Sequence, residues 1–138
     1  MKVKRKQHKC RQTKRRGFLS MELALVLPIF AIVLFALLEF TLLFYARADV
    51  VEASRIGARL ATMPGITQQN VEQEVKKVLP PQLGQGAVIQ TQIGKHSGDV
   101  VMVGVSIPMT LAAPNLLWPV GYDLKGQNLY SETRMIKE

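Results

Sequence analysis

The chain has 138 residues, 48% of them hydrophobic and 7% aromatic, which leaves room for one small domain and excludes a disordered polypeptide. Its formal charge of +8 is concentrated at one end: nine of the 18 Lys and Arg residues (Lys2, Lys4, Arg5, Lys6, Lys9, Arg11, Lys14, Arg15 and Arg16) precede residue 17, and no acid does. The remaining nine face ten Asp and Glu residues, a balance of −1, so the high isoelectric point describes a tail, and the sequence is read as having no nucleic-acid partner.

The basic tail abuts an apolar stretch, 18–44, and such a neighbour makes the tail the cytoplasmic flank of a membrane span under the positive-inside rule. The amino terminus is then inside and the rest outside. Residues 23–38 are sixteen apolar positions in a row, counting Pro28. From 18 to 39, 21 steps at ~1.5 Å give ~32 Å, about one hydrocarbon thickness. Glu39 therefore reads as an end-of-span charge at the far interface, with Phe40, Phe44 and Tyr45 as an aromatic belt and Arg47 and Asp49 in water. Glu22 lies a turn inside the near face, where a central charge costs roughly 2.5–3.5 kcal/mol, and it needs a partner or a role.

A cleaved secretory signal is the alternative to an anchor, since Ala46-Arg47-Ala48 matches an A-x-A site and would leave Asp49 as the new terminus. Against it, a signal's apolar region runs about 7–15 residues, and this one is nearly twice that. The helical pattern also continues past the site. Ala46, Val50, Ser54, Gly57 or Ala58, and Ala61 form a stripe of mostly small residues that would let another helix approach closely. Glu52, Arg55 and Arg59 mark a polar face. One helix is expected over 18–63, ended by Pro64-Gly65.

Beyond it the sequence turns mixed. TQQNVEQEVKKVL, 67–79, places Val71, Val75, Val78 and Leu79 on one face behind Thr67 as N-cap, and Pro80-Pro81 stops it. The stretches 87–94 and 99–109 flank Lys95-His96-Ser97-Gly98 and read as a hairpin with a four-residue loop. In its second strand Val101, Val103, Val105 and Ile107 alternate with Val100, Met102, Gly104 and Ser106, so both faces are candidates for cover, one by the long helix. A third strand is expected at 128–136. The intervening Pro- and Gly-punctuated loop carries Trp118 and Tyr122, read as caps on a core edge. The fold class is α+β: a long amino-terminal transmembrane helix, then a small domain, 64–138, with a short helix and an antiparallel sheet of about three strands. That outer part is small for a self-sufficient core, so the upper helix or neighbouring subunits must complete it. No disulfide can help, because the single cysteine, Cys10, lies in the tail.

Catalytic and metal constellations are not evident. His8 and Cys10 fall short of the three or four ligands of a zinc site, and His96 sits alone in a turn. Ser97-Gly98-Asp99 is no nucleophile elbow, and Glu72 and Glu74 point to different helix faces. No enzyme, cofactor or metal is expected.

The segment Gly17-Phe18-Leu19-Ser20-Met21-Glu22-Leu23 resembles the processing site of type IV prepilins: a basic leader ending in Gly, a hydrophobic first residue, and Glu at the fifth mature position. Extended through Pro28, Glu39-Phe40 and the Arg55/Gly57/Ala58/Arg59 cluster, it closely resembles the amino-terminal region of TadE-like pseudopilins of tight-adherence pilus systems. The resemblance implies a type IV pilin-like fold and cleavage by a prepilin peptidase between Gly17 and Phe18, with 1–17 as the cytoplasmic leader and 18–44 as the span. It implies a minor pilin of the bacterial inner membrane, processed by that peptidase and partnered by other pilins, inner-membrane assembly proteins and lipid. Cleavage would create an α-ammonium on Phe18, four residues before Glu22 on the same helix face, and so give the acid a cation on its own or a neighbouring helix. The other readings are an unprocessed bitopic scaffold and a secreted domain.

Overall fold

The computed structural model describes residues 16–137, with side chains from Ser20 onward. Helix α1, Arg16–Ala61, carries Pro28 inside it and is the one described helix long and apolar enough to cross a membrane. Two compact units divide within it, between Val33 and Leu34. In the first, the described side chains 20–33 stand exposed apart from Ala31, as an apolar rod needs lipid or protein around it.

The second unit is the upper helix with everything after it: α2, Gln68–Val78; α3, Pro81–Gly84; β1, Val88–Gln92; β2, Val100–Pro108; α4, Met109–Ala112; a 3-10 turn, Trp118–Val120; and β3, Asn128–Ile136. The three strands form one antiparallel sheet in the order β1-β2-β3, with Val105 between Ile89 and Ser131, and Val103 between Thr91 and Thr133. Period-two alternation turns Val101, Val103, Val105 and Ile107 of β2 to one face, where all four are fully buried. Against them pack Ala46, Val50, Ala53, Ala58 and Ala61 of α1, Val71 and Val75 of α2, Leu79 and Leu83. The upper half of the long helix thus completes a core that residues 64–138 could not build alone.

The other sheet face is only partly covered. Gly104 is buried beneath the Tyr130 ring, while Val88 and Val100 stay exposed. Tyr130 Oη donates to Glu132 Oε2 at 2.7 Å, and Arg134 Nε donates to Glu132 Oε1. The Tyr130 hydroxyl and then the Arg134 guanidinium hold the Glu132 carboxyl below its ordinary range.

The expected elements are all present, with local differences. Thr67 occupies the N-cap of α2 in extended conformation but makes no side-chain cap bond. Val78, expected on the apolar face, lies at the helix end and is exposed. Pro80-Pro81 ends α2 and also begins α3, with Pro81 at a first-turn position where its missing N–H costs nothing. The connection between β1 and β2 runs over 93–99 rather than four residues. Asp99 accounts for this: its Oδ2 accepts the His96 amide at 3.0 Å, and its carbonyl takes the Lys137 amide at 2.9 Å, closing the turn on the end of β3 rather than on β1. Gly98, at φ +93°, donates to Lys137 O in the same turn.

The His96 amide, followed by that of Lys95 and the nearby cations, outweighs desolvation and holds the Asp99 carboxyl below its ordinary value. A folded-state value below the unfolded one means the contribution is complete at neutral pH and is lost as pH falls through the depressed value. Exchange of the His96 amide should therefore accelerate, beyond the intrinsic pH trend, on acidification through that range, and Asp99→Asn should remove this dependence. An unchanged profile in the variant would contradict the assignment.

Candidate functional site

Three features of α1 bear on function, in chain order. The backbone at Gly17 and Phe18 is helical, and their side chains, like residues 1–15 with His8 and Cys10, lie outside the described set. Glu22 is the first described charge and stands exposed on the rod, with no ion pair among the described residues.

The stripe of Ala46, Val50, Ser54, Gly57 and Ala61 was expected to receive another helix. It is buried inside this chain, where the helix that approaches it is the protein's own α2 and strands β2 and β3 also lie against it. A Cβ on Gly57 would lie 2.6 Å from Val75 Cγ2 and 3.0 Å from Val103 Cγ1, so the backbone of α1 approaches these side chains as closely as a glycine permits. Small residues record that a surface comes near; here that surface is made by the protein's own α2 and sheet. Ser54, fully buried, donates to or accepts from Ser131 Oγ at 3.2 Å and Thr133 Oγ1 at 2.9 Å, and its hydroxyl also reaches Val51 O at 2.8 Å. These hydroxyls satisfy one another where water is excluded. Ser54→Ala should cost about 1–2 kcal/mol by stranding the two strand hydroxyls, read as a lowered thermal midpoint of the full chain.

Glu39 departs furthest from expectation. Expected as an end-of-span charge with no partner in the chain, it is fully buried, with Oε2 accepting the Leu116 amide at 2.9 Å and the Leu117 amide at 3.0 Å. One turn on, Leu43 packs with Ala113 and Leu124 in a second small apolar cluster, joined at its edge by Tyr122. Phe40 meets Tyr122 with ring centroids 5.7 Å apart. The loop so held is closed on itself: Asp123 Oδ1 accepts from Asn115 Nδ2 at 2.6 Å and from the Lys125 amide at 3.0 Å. Tyr122 covers this edge as expected, but Trp118 does not, being 66% exposed. The signal for Glu39 was present in the spacing. Positions 39, 43, 46 and 50 continue the buried stripe toward the amino terminus, so Glu39 faces the same way as Ala46.

Among the described residues no three His, Cys, Asp or Glu side chains gather as a metal site. The chain's residues 17–59 match the family model described as TadE-like protein. Over these residues the chain is similar to TadE-like proteins. The matched segment coincides with α1 from Gly17 to two residues before its end, and includes Glu22, Glu39 and the stripe as far as Gly57. The sheet lies outside it. No curated protein and no solved structure matches the chain.

Proposed function

We propose that the chain is a minor pilin or pseudopilin acting in assembly of a tight-adherence pilus, anchored by α1 with its amino terminus in the cytoplasm and its outer domain beyond the inner membrane. The observation that carries this reading is that the TadE-like match begins at Gly17, the residue after which a prepilin peptidase would cut. Cleavage there places a new α-ammonium four residues before Glu22, and an acid on an otherwise apolar rod gains the cation that makes it tolerable in lipid. With the stripe 46–61 occupied by the chain's own sheet, packing on other pilins falls to the exposed apolar side chains of 20–38.

Amino-terminal analysis of the membrane-bound form tests the processing step. A mature chain beginning at Phe18 is expected in cells that make the peptidase, and the intact leader in cells that lack it. A leader retained in both would favour the unprocessed bitopic scaffold. Glu22→Leu should leave cleavage unchanged and deplete the protein from the pilus fraction; undiminished incorporation would contradict the pairing. A secreted domain starting at Asp49 has less support, because it would discard Glu39, Leu43 and Ala46, all buried in the outer unit.

A further inference from the structure

Residues 111–122, LAAPNLLWPVGY, are twelve consecutive positions without a charge. Their middle forms the 3-10 turn Trp118–Val120, in which Trp118 is 66% and Val120 60% exposed, with Pro119 between them also at the surface. An exposed indole and isopropyl group two residues apart, with Pro119 between them, make an uncharged apolar projection of the kind that marks a contact surface. The turn is fixed in place rather than loosely hung: Val120 N donates to Leu117 O at 3.0 Å, Gly121 N to Trp118 O at 3.1 Å, and the Leu117 amide is held by buried Glu39.

That tie to Glu39 decides where the turn stands. Trp118 is one peptide unit beyond Leu117, and so lies beside the turn of α1 at which the uncharged run 23–38 ends. The helix residues just before Glu39 are exposed and apolar, Phe35, Leu37 and Leu38 among them, and Phe40 is joined to the loop through Tyr122. The exposed turn therefore stands at the level of α1 where the uncharged run ends, next to a stretch of helix whose own apolar side chains are exposed. Polar chain resumes at Asp123 and Lys125.

We propose that Trp118–Val120 is a second membrane contact, seated in the headgroup and acyl boundary of the outer leaflet beside the exit of α1. Its occupant is a lipid surface. An indole suits this layer because its ring prefers the acyl side while its N–H finds polar partners, and Val120 adds apolar area with no charge to desolvate. The inference rests on α1 spanning the membrane. Attachment at two points, helix and turn, fixes the rotation of α1 and the domain packed on it about the membrane normal, and adds a contact that must break before the subunit leaves the bilayer.

Trp118 is the only tryptophan, so its emission reports the turn directly. The full chain would be reconstituted in phosphatidylethanolamine–phosphatidylglycerol vesicles whose acyl chains carry bromine either near the headgroup or near the methyl end. Blue-shifted emission, quenched more by shallow than by deep bromine and protected from acrylamide, is expected. Emission of a water-exposed indole, open to acrylamide and indifferent to bromine, overturns the proposal, as does blue-shifted emission indifferent to bromine, which would mean that protein covers the turn. A second variant, F30W combined with W118F, places the only indole in the middle of the run 23–38 and should be quenched best by deep bromine. If it is not, the span reading fails and the proposal with it; if it is while Trp118 ignores bromine, the turn proposal alone fails.

Discussion

Replacing Glu39 with leucine should loosen the 113–124 loop from α1, at a cost of about 2–4 kcal/mol in the stability of the outer unit. Two backbone donors, the Leu116 and Leu117 amides, share Oε2 of this carboxylate, and the Leu117 amide is buried. Bonds to a charged acceptor contribute roughly 1.5–3 kcal/mol each, and a buried donor left without a partner costs about 1–3 kcal/mol. The buried charge carries its own desolvation cost, and Oε1 has no partner to offset it, so the net sits below the sum. Leucine is the informative substitution. If Glu39 were only an end-of-span charge, Leu would lengthen the apolar run and leave folding unharmed or improved. With Glu39 as the acceptor for the loop, the same change leaves two amides stranded. Glu39→Gln keeps an oxygen in reach and should lose much less. Hydrogen exchange at Leu116 and Leu117, with thermal unfolding of the full chain, distinguishes the cases; wild-type exchange at both amides in the leucine variant would refute the role given to Glu39.

Gly57→Leu should be more damaging still, because it acts at the centre of the outer unit. The first added carbon already comes within 2.6 Å of Val75 Cγ2 and 3.0 Å of Val103 Cγ1, with Val71 Cγ1 at 3.6 Å. Alanine forces a small shift of valine methyls, about 1–3 kcal/mol of overpacking, against about 1 kcal/mol regained from the better helix former. Leucine adds three further heavy atoms with nowhere to go, so α2 or the sheet must leave the helix. A loss above about 3 kcal/mol is expected, a large share of the 5–15 kcal/mol that holds a typical domain. Thermal unfolding of the full chain in detergent would show it as a lowered or absent outer-unit transition. Pairing Gly57→Ala with Val75→Ala makes room where the first change takes it, and should be milder than the sum of the two single changes. Had the stripe served another subunit, Gly57→Leu would spare the isolated chain and harm only assembly, and a wild-type transition in the variant would indicate that.

Both results turn on the same question, what the buried side of α1 faces. Sequence spacing alone carried a good deal of the fold. Val101, Val103, Val105 and Ile107 of β2 recur at period two, and all four are buried. Asn128–Ile136 forms the third strand over the range expected for it. Val71 and Val75 bury the apolar side of α2, as their spacing of four requires. The tight turns were less legible. Asp99 bonds across its loop and to a strand end nearly forty residues later, and no local pattern announces that partner. The short helices α3 and α4 depend on where neighbouring elements leave room rather than on their own four residues.

The sequence by itself determined the basic tail before residue 17, the apolar run 23–38, the acid at position 22 and the period of each face, because these are properties of residues near one another along the chain. Only the tertiary structure decided that Ala46, Val50, Ser54, Gly57 and Ala61 lie against the protein's own sheet, that Trp118 stands outside the core, and that Glu39 is sealed beneath a loop 77 and 78 residues away. The physical reason is common to all three: a small side chain, an indole or a carboxylate specifies the kind of neighbour it tolerates, while the identity of that neighbour depends on which distant segment the fold brings alongside.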